Sequence, residues 1–352
     1  MKLVVLGLSL SSSWGNGHAT TYRSLLRAFA ARGHEILFLE RDVPWYSGPA
    51  RDLSDPDFCR LVFYKDVAGL REHAREVAEA DAVMVGSYVP DGIAVGAWAQ
   101  ETARGRTAFY DIDTPVTLAA LEAGTCTYLT PALIPGYDTY LSFTGGPTLD
   151  RLREHYGSTD PRALYCCVDP DLYRPREDAR RWDLSYLGTY SPDRQPVLER
   201  LLLEPARHAP DLRFVVAGSQ YPADIAWPAN VERFEHVGPH DHAEFYGSSG
   251  MTLNVTRADM VKAGWSPSVR LFEAAACGTP IVSDVWDGIG SVLEPGRSIA
   301  LARTSADVLT LLRNWSEGDR AAMAEAARTQ VLAAHTAAHR ATQLEDDLTR
   351  PR

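Results

Sequence analysis

One predicted helix start combines residue types that bind an anion and a polyol. Ser266 suits the N-cap and Pro267 the first helical position, so a helix is predicted to begin here. The free N–H groups of its first turn, together with Ser268, form an anion site, and Arg270 adds a forked contact suited to a diphosphate. Glu273 is spaced to accept hydrogen bonds from ribose hydroxyls. The alternative is an ordinary capped helix with an Arg270–Glu273 ion pair on its surface.

A pair of acidic residues ends a predicted strand in the first half of the chain. Asp111 and Asp113 form an Asp-x-Asp pattern directly before Thr114 and Pro115. Taken alone, it resembles the Asp-x-Asp of GT-A glycosyltransferases, in which the carboxylates hold a divalent ion on the diphosphate. The alternative is that Asp113 is a helix N-cap, because Thr114 and Pro115 suit a helix start.

A glycine-bearing loop precedes His18. Gly15 and Gly17 permit close approach of the backbone to a ligand, but the Gly-x-Gly-x-x-Gly fingerprint of dinucleotide sites is absent. A histidine at this position acts as a base or donates to a phosphate. The competing interpretation is a histidine at a helix start that meets solvent.

Strands that alternate with helices must position these residues. Leu3–Leu8 is a continuous apolar run, typical of a strand covered on both faces, and an amphipathic helix and a strand at Glu35–Leu39 follow it. The alternation predicts a parallel, doubly wound sheet. The further elements predicted in this half are strands at 82–86, 107–110 and 139–143, and helices at 70–80, at 92–103 and from Pro147.

A second series begins after the polar, proline-bearing stretch 169–181. It predicts a second Rossmann-like domain, so the fold class is α/β with two such domains in tandem. Ligands of open α/β sheets bind beyond the carboxyl ends of the strands, where every polar cluster described above lies. The predicted strands are 184–188, 214–218, 231–237, 251–255 and 280–283, and the predicted helices are 195–203, 243–246, 267–277, 306–315 and 319–348.

Composition agrees with a globular protein of two domains. The 352 residues are 45% hydrophobic and 23% charged, which excludes a disordered, collagenous or disulfide-stapled chain. Lys and Arg number 35 against 46 Asp and Glu, and the resulting net charge of −11 disfavours nucleic acid and anionic lipid as partners.

Location is predicted from the cysteines and the apolar runs. Five cysteines without a C-x-x-C spacing indicate neither a zinc site nor a disulfide framework. No apolar run approaches the ~18 residues of a membrane span. Leu3–Leu10 would also fit a short secretory h-region, but no clean cleavage site follows it. A cytoplasmic protein is expected.

Four segments resemble the group 1 glycosyltransferases of the GT-B fold. From Arg270 the sequence Arg-x-Phe-Glu-Ala-x-Ala-Cys-Gly-x-Pro-Ile is similar to the donor-binding helix of that superfamily. Ser268 two residues before Arg270 most resembles the CgeB-like, spore-maturation-type branch. The other three segments, which resemble the interdomain segment, the phosphate-facing loop and the base-flanking segment, are Cys167–Pro175, Asp183–Arg194 and Asn230–Tyr246.

The resemblance implies a nucleotide-diphosphate sugar on the second domain. Glu273 would hold the ribose, and Arg270 and Arg194 would face the diphosphate from opposite sides. The loop from Arg257 to Trp265 would face the donor sugar. The residues expected at the donor are Thr189, Tyr190, Arg194, Gly218, Val237, Arg257, Asp259, Ser266, Ser268, Val269, Arg270 and Glu273.

One position departs from the family pattern. Many group 1 enzymes carry a second glutamate eight positions before the equivalent of Glu273, and this chain has Trp265 there. The contacts that this glutamate makes to sugar hydroxyls would have to come from another residue, for which Asp259 is the candidate.

The resemblance also implies where the acceptor binds. In the CgeB-like branch a segment at the place of Asp113 faces the interdomain cleft. Asp113, in preference to Asp111, is therefore the candidate acceptor-side carboxylate, and His18 is a further catalytic candidate. Asp113 would be a general base if the reaction inverts and would orient the substrates if it retains.

The predicted protein is a GT-B glycosyltransferase that moves a sugar to an acceptor hydroxyl in the interdomain cleft, and resemblance favours retention. The acceptor is a small molecule or a glycan, and neither a metal nor a further cofactor is expected. The alternatives are a nucleotide-sugar epimerase of the same fold and a catalytically silent nucleotide-binding protein. The predicted domains are 1–168 for the acceptor, 169–330 for the donor, and a C-terminal helix at 331–352 that returns to the first domain.

Overall fold

The chain forms two compact units. The computed structural model describes residues 1–14 and 17–350. The first unit contains residues 1–167 together with the C-terminal residues from Ala337, and the second contains residues 168–336. The sequence analysis put these boundaries at 168/169 and 330/331.

The first unit is a parallel sheet of seven strands in the order β3-β2-β1-β4-β5-β6-β7. The order reverses between β1 and β4, which is the place where doubly wound sheets bind ligands. Its strands are β1 Lys2–Gly7, β2 Glu35–Arg41, β3 Arg60–Tyr64, β4 Ala82–Gly86, β5 Arg106–Asp111, β6 Thr139–Ser142 and β7 Pro161–Ala163. Its helices are α1 His18–Ala30, α2 Val67–Leu70, α3 Ala74–Glu79, α4 Gly92–Thr102, α5 Thr114–Glu122, α6 Pro147–Glu154 and the C-terminal α14 Ala337–Thr349.

The second unit repeats the plan with six parallel strands in the order β10-β9-β8-β11-β12-β13, which reverses between β8 and β11. Its strands are β8 Leu184–Leu187, β9 Phe214–Ala217, β10 Val231–Phe234, β11 Thr252–Asn254, β12 Ile281–Ser283 and β13 Ala300–Leu301. Its helices are α7 Gln195–Leu198, α8 Glu204–His208, α9 His242–Gly247, α10 Ala258–Ala263, α11 Val269–Ala276, α12 Ser305–Asn314 and α13 Glu317–Ala334.

The predicted α/β class with two doubly wound sheets is confirmed. The outer strands β3, β7 and β13 were not predicted from the sequence, because they are short or only partly buried and lack a long apolar run. The helix α5 was predicted only by the alternative that makes Asp113 an N-cap, and the helix predicted at 195–203 extends to His208 as α8. The helix α10, which lies in the loop predicted to face the sugar, was missed.

The C-terminal helix predicted at 319–348 is interrupted. The helix α13 ends at His335, whose φ of −129° is not helical, and Thr336 pairs with Val168 of the same unit. Beyond the break, α14 packs on α1, and Arg32, two residues after α1, bonds Thr342 at 2.9 Å and also pairs with Glu345. The return to the first unit therefore begins at Ala337 rather than at residue 331, because pairing of Thr336 holds the preceding turn in the second unit.

Each sheet is covered on both faces by apolar side chains, and the fully buried set includes Leu6, Val85 and Phe109 in the first unit and Leu184, Val216 and Leu253 in the second. Within residues 1–14 and 17–350, no helix combines the length and the apolar character that a membrane crossing requires.

Two glycines let the loops after β8 and β9 run against each other. The N–H of Gly188 donates to the Ala217 carbonyl at 2.8 Å, and that of Tyr190 donates to Ser219 at 2.9 Å. A Cβ on Gly218 would lie 2.0 Å from the Gly188 carbonyl oxygen, so no larger residue fits.

We therefore expect Gly218→Ala to lower the free energy of unfolding by about 1–3 kcal/mol, because backbone rather than a movable side chain must give way. Gly290→Ala is the matched control, since its Cβ would meet only Pro295 at 3.7 Å, and it should stay within about 0.5 kcal/mol of the unaltered protein. Urea unfolding measures both. Equal stability of the two variants would contradict the close approach.

Candidate functional site

The helix α11 starts later than its sequence predicts. It begins at Val269 with Ser268 at the N-cap, whereas Ser266 and Pro267 are buried before it. The hydroxyl of Ser268 makes no capping bond and donates instead to Asn254 Oδ1 at 2.7 Å. The prediction of Ser266 as the N-cap is therefore wrong, since the N-cap is Ser268, two residues later.

Trp265 is in a strained conformation. Its φ of 43° is a genuine outlier for a bulky residue, and its N–H donates to the Asp287 carbonyl at 2.6 Å. The indole lies against Gly288, where a Cβ would come within 2.5 Å of the ring. The residue that departs from the family pattern is thus held in one orientation by the loop after β12.

Arg270 is buried, with 7% of its surface exposed, so the proposed surface ion pair with Glu273 is not formed. Its Nε donates to the Leu187 carbonyl at 2.8 Å, its Nη2 bonds the same oxygen, and its Nη1 donates to Asn254 Oδ1 at 2.9 Å. The guanidinium also stacks on Tyr186, 4.8 Å from the ring centre. Arg270 therefore joins α11 to the ends of β8 and β11.

Asn254 was not singled out from the sequence, yet it lies at the centre of these contacts. Its Oδ1 accepts from both Ser268 and Arg270, and its Nδ2 donates to Ser283 at 2.9 Å and to Thr256 at 3.2 Å. The side chain is fully buried. No local motif predicts these contacts, because its partners come from three separate segments.

Glu273 is an ionised carboxylate in the interior, with 3% of its surface exposed. Burial by itself raises its pKa, but hydrogen bonds from His242 and Tyr173 and the charge of Arg270 outweigh that effect and hold the pKa below its ordinary value. Oε2 lies 3.6 Å from His242 Nδ1 and accepts from Tyr246 at 3.3 Å.

His242 links this carboxylate to the predicted base-flanking segment. Its Nε2 lies 3.2 Å from the Val237 carbonyl, while its Nδ1 lies 3.3 Å from the Tyr173 hydroxyl. The fold thus brings Val237 and Glu273 together through a histidine that sequence reasoning did not use.

The loop after β8 carries three further predicted residues. Arg194 donates to the Thr189 carbonyl at 2.6 Å, and the Tyr190 ring packs at 5.5 Å from that of Tyr221. The intervening Asp193 accepts from the Ala258 N–H at 2.9 Å and lies 3.8 Å from Arg257 Nε.

Asp193 therefore ties the predicted phosphate loop to the predicted sugar loop. Asp259 is half-buried in the first turn of α10. The predicted donor residues lie at or near the carboxyl ends of β8, β9, β10 and β11, on both sides of the point where the strand order reverses.

In the first unit, His18 and Asp113 are brought near each other by Tyr88. The His18 ring meets the Tyr88 ring edge-on at 5.3 Å, and the Tyr88 hydroxyl donates to Asp113 Oδ2 at 3.4 Å. Burial lowers the pKa of His18 to about 4, so its imidazole is neutral at pH 7 and does not meet solvent as the alternative held. Gly15, noted with His18 in the sequence, lies outside the described residues.

The two carboxylates of the Asp-x-Asp pattern have different surroundings. Asp113 is half-buried at the N-cap position of α5, yet its side chain makes no capping bond. Asp111 is fully buried and accepts from Tyr140 at 2.5 Å and Thr117 at 2.7 Å. Over the described parts of the chain, no three His, Cys, Asp or Glu side chains are grouped as metal ligands.

Two acidic residues missed in the sequence hold the loop between β1 and α1. Glu40 is buried at the end of β2, where dinucleotide-binding folds place a carboxylate for the ribose. Here it accepts from the N–H groups of Leu10 and Ser11 at 2.6 and 2.9 Å and from two serine hydroxyls. Asp52 forms a fork with Arg23 at 2.7 and 2.9 Å. The Glu40 carboxylate, which would bind the ribose in a dinucleotide-binding fold, is therefore hydrogen-bonded to the protein's own loop.

One family model and a set of solved structures are similar to this chain. Residues 194–346 match the model of the family described as "Glycosyl transferase-like". No curated protein matches the chain.

Solved structures match over the whole length at low identity. HepE of Anabaena, solved with UDP and glucose, matches with TM-score 0.74 and 14% identity over 99% of both chains. Sucrose-phosphate synthase of Thermosynechococcus elongatus gives 0.71 and 14% over 98% of both. An E. coli structure titled "Trehalose-6-phosphate", bound with UDP-2-fluoro glucose, gives 0.67 and 11% over all of both chains. The predicted GT-B fold is confirmed.

The raised pKa of Asp111 predicts a pH dependence of stability. Burial raises its pKa to about 6 from 3.8, so between these values the folded protein binds more protons than the unfolded chain. The contribution of Asp111 to the free energy of unfolding should therefore fall by about 1–3 kcal/mol as the pH rises from about 4 to about 6.

Urea unfolding at pH 4 to 8, compared between the unaltered protein and Asp111→Asn, isolates this contribution because other titrating groups, such as Asp347, cancel. The difference between the two proteins should decline through this window and be constant above about pH 7. A constant difference at every pH would contradict the buried, proton-binding carboxylate.

Proposed function

We propose that the protein transfers a sugar from a nucleotide-diphosphate sugar to an acceptor hydroxyl. The observation that carries the proposal is the buried cluster at the start of α11. There, Ser268 and Arg270 share Asn254, and Glu273 is an ionised interior carboxylate, as a receptor for ribose hydroxyls needs. The cluster lies within the residues that match the glycosyltransferase family model.

The donor is assigned to the second unit. Glu273 holds the ribose, and the segment around His242 and Val237 flanks the base. The backbone N–H groups at Ser268 and Val269, with Arg194, carry the charge of the leaving diphosphate, so no metal is required. Because the guanidinium of Arg270 is already bonded to Leu187 and Asn254, it acts chiefly by holding these groups in place and adding positive charge.

A UDP-sugar is the proposed donor. HepE and the E. coli protein were solved with UDP or a UDP-sugar, and the fold shared with them supports the same choice here. The Ser268-x-Arg270 spacing supports the CgeB-like branch and, with it, a hexosyltransferase. A cytoplasmic location stays a prediction from the cysteine pattern.

The acceptor is assigned to the first unit. Asp113 takes the proton of the acceptor hydroxyl if the reaction inverts and orients the substrates if it retains, which the resemblance favours. His18, neutral at pH 7, supplies a hydrogen bond rather than a positive charge. Asp111 is not assigned a chemical step, because its carboxylate is enclosed by Tyr140 and Thr117.

Nucleotide binding is tested by thermal shift against UDP-, GDP- and dTDP-sugars. A ligand at 100 times its Kd should add about 2.7 kcal/mol to the free energy of unfolding. If no nucleotide raises the melting temperature, the donor site is wrongly assigned. Release of the nucleoside diphosphate with transfer of the sugar to an acceptor or, more slowly, to water identifies a transferase, whereas conversion of the sugar to its epimer without any acceptor identifies an epimerase.

The role of Glu273 is tested by Glu273→Gln, which keeps the shape and removes the charge. We expect at least a tenfold loss in affinity for the nucleotide, since an ionised acceptor contributes about 1.5–3 kcal/mol to a hydrogen bond. Glu244→Gln on the exposed part of α9 is the matched control and should bind as the unaltered protein does. Calorimetry measures both. Unchanged binding by Glu273→Gln removes the ribose role.

A further inference from the structure

Tyr88 is held in a backbone conformation that large side chains avoid. Its φ is 62°, in the left-handed region, and it follows β4 at the point where the strand order of the first sheet reverses. Such a conformation is unfavourable for a large side chain and persists only where the surrounding structure imposes it. The contacts of the side chain must therefore explain why a tyrosine is kept there.

The ring of Tyr88 is held between two other aromatic groups. It stacks on Tyr128 with 4.6 Å between centroids and meets His18 at 5.3 Å with the planes nearly perpendicular. The stacking involves the Tyr128 ring, whereas its hydroxyl lies 2.8 Å from Thr117 Oγ1 in α5. These contacts leave the Tyr88 ring little freedom to turn.

The hydroxyl of Tyr88 then points to one of the two carboxylates at the end of β5. It donates to Asp113 Oδ2 at 3.4 Å, and Asp113 is the half-buried carboxylate of the pair, whereas Asp111 is enclosed. Tyr88 thus connects the loops that follow β1, β4 and β5. A long hydrogen bond from a rigid ring is suited to orienting a carboxylate without enclosing it.

We propose that Tyr88 is a positioning residue that orients the Asp113 carboxylate toward the hydroxyl of the incoming acceptor. The assignment rests on the proposed function, because Asp113 is the acceptor-side carboxylate there. Neither the sequence motifs nor the family match, which covers residues 194–346, assigns a role to Tyr88. The strain at Tyr88 is then the cost of placing a hydroxyl donor beside Asp113.

The test removes one hydroxyl from each side of the same aromatic stack. Tyr88→Phe keeps the ring and loses the bond to Asp113, while Tyr128→Phe loses only the bond to Thr117. The probe is hydrolysis, with water as acceptor, of whichever of UDP-, GDP- and dTDP-glucose gives the largest thermal shift. Readouts are kcat, the KM for that nucleotide sugar and the melting temperature.

We expect Tyr88→Phe to lower kcat by about 10- to 100-fold, the size of effect that a misplaced group causes. Its KM and melting temperature should stay close to those of the unaltered protein, and Tyr128→Phe should keep kcat within about twofold. A purely structural role would instead lower the melting temperature of Tyr88→Phe and leave kcat unchanged.

Three outcomes overturn the assignment. If Tyr88→Phe keeps kcat within twofold, or if Tyr128→Phe loses kcat equally, Tyr88 does not position Asp113, while the proposed function still holds. If the unaltered protein hydrolyses none of the three nucleotide sugars, the proposed function fails together with the role of Tyr88. Loss of kcat in Tyr88→Phe alone supports both.

Discussion

A charge buried at the edge of a sheet must be met by hydrogen bonds, and one such charge organises each unit of this protein. In the second unit it is Arg270, whose guanidinium bonds the Leu187 carbonyl and Asn254. In the first unit it is Glu40, which collects the N–H groups of Leu10 and Ser11. Removing a partner would leave an uncompensated charge, so the loops around each charge are held to one arrangement.

The same constraint determines which predicted ligand groups remain available. Arg270 spends much of its hydrogen-bonding capacity on the protein and so supports the site more than it contacts a ligand. Glu273 differs, because its partners His242 and Tyr246 stabilise the ionised form that a polyol requires. Glu40 occupies the ribose position of a dinucleotide fold, yet the protein's own loop uses it. A Rossmann-like sheet therefore does not by itself indicate a nucleotide site.

The catalytic candidates of the first unit show how burial separates two similar residues. Asp111 and Asp113 are separated in the sequence by a single isoleucine. The Asp111 carboxylate is enclosed by Tyr140 and Thr117, whereas that of Asp113 is half-buried beside Tyr88. Neither the metal-site nor the N-cap interpretation anticipated this difference. Both alternatives were based on the local sequence, so neither could include the contacts made by residues in or after β4 and β6.

The sequence alone determined the fold class, most inner strands and helices, and the motif at α11, because apolar periodicity and residue spacing are local properties. It did not predict β7 or the break after α13. Nor did it predict the contacts of Asn254, His242, Glu40 and Tyr88, which depend on partners far away in the chain. The predicted start of α11 was two residues too early, and the hydroxyl of Ser268, the N-cap residue, bonds Asn254 instead of capping the helix. Parallel strands bring distant segments to one edge. Which polar residues meet at that edge, and which of these residues stay accessible, therefore depends on the tertiary structure.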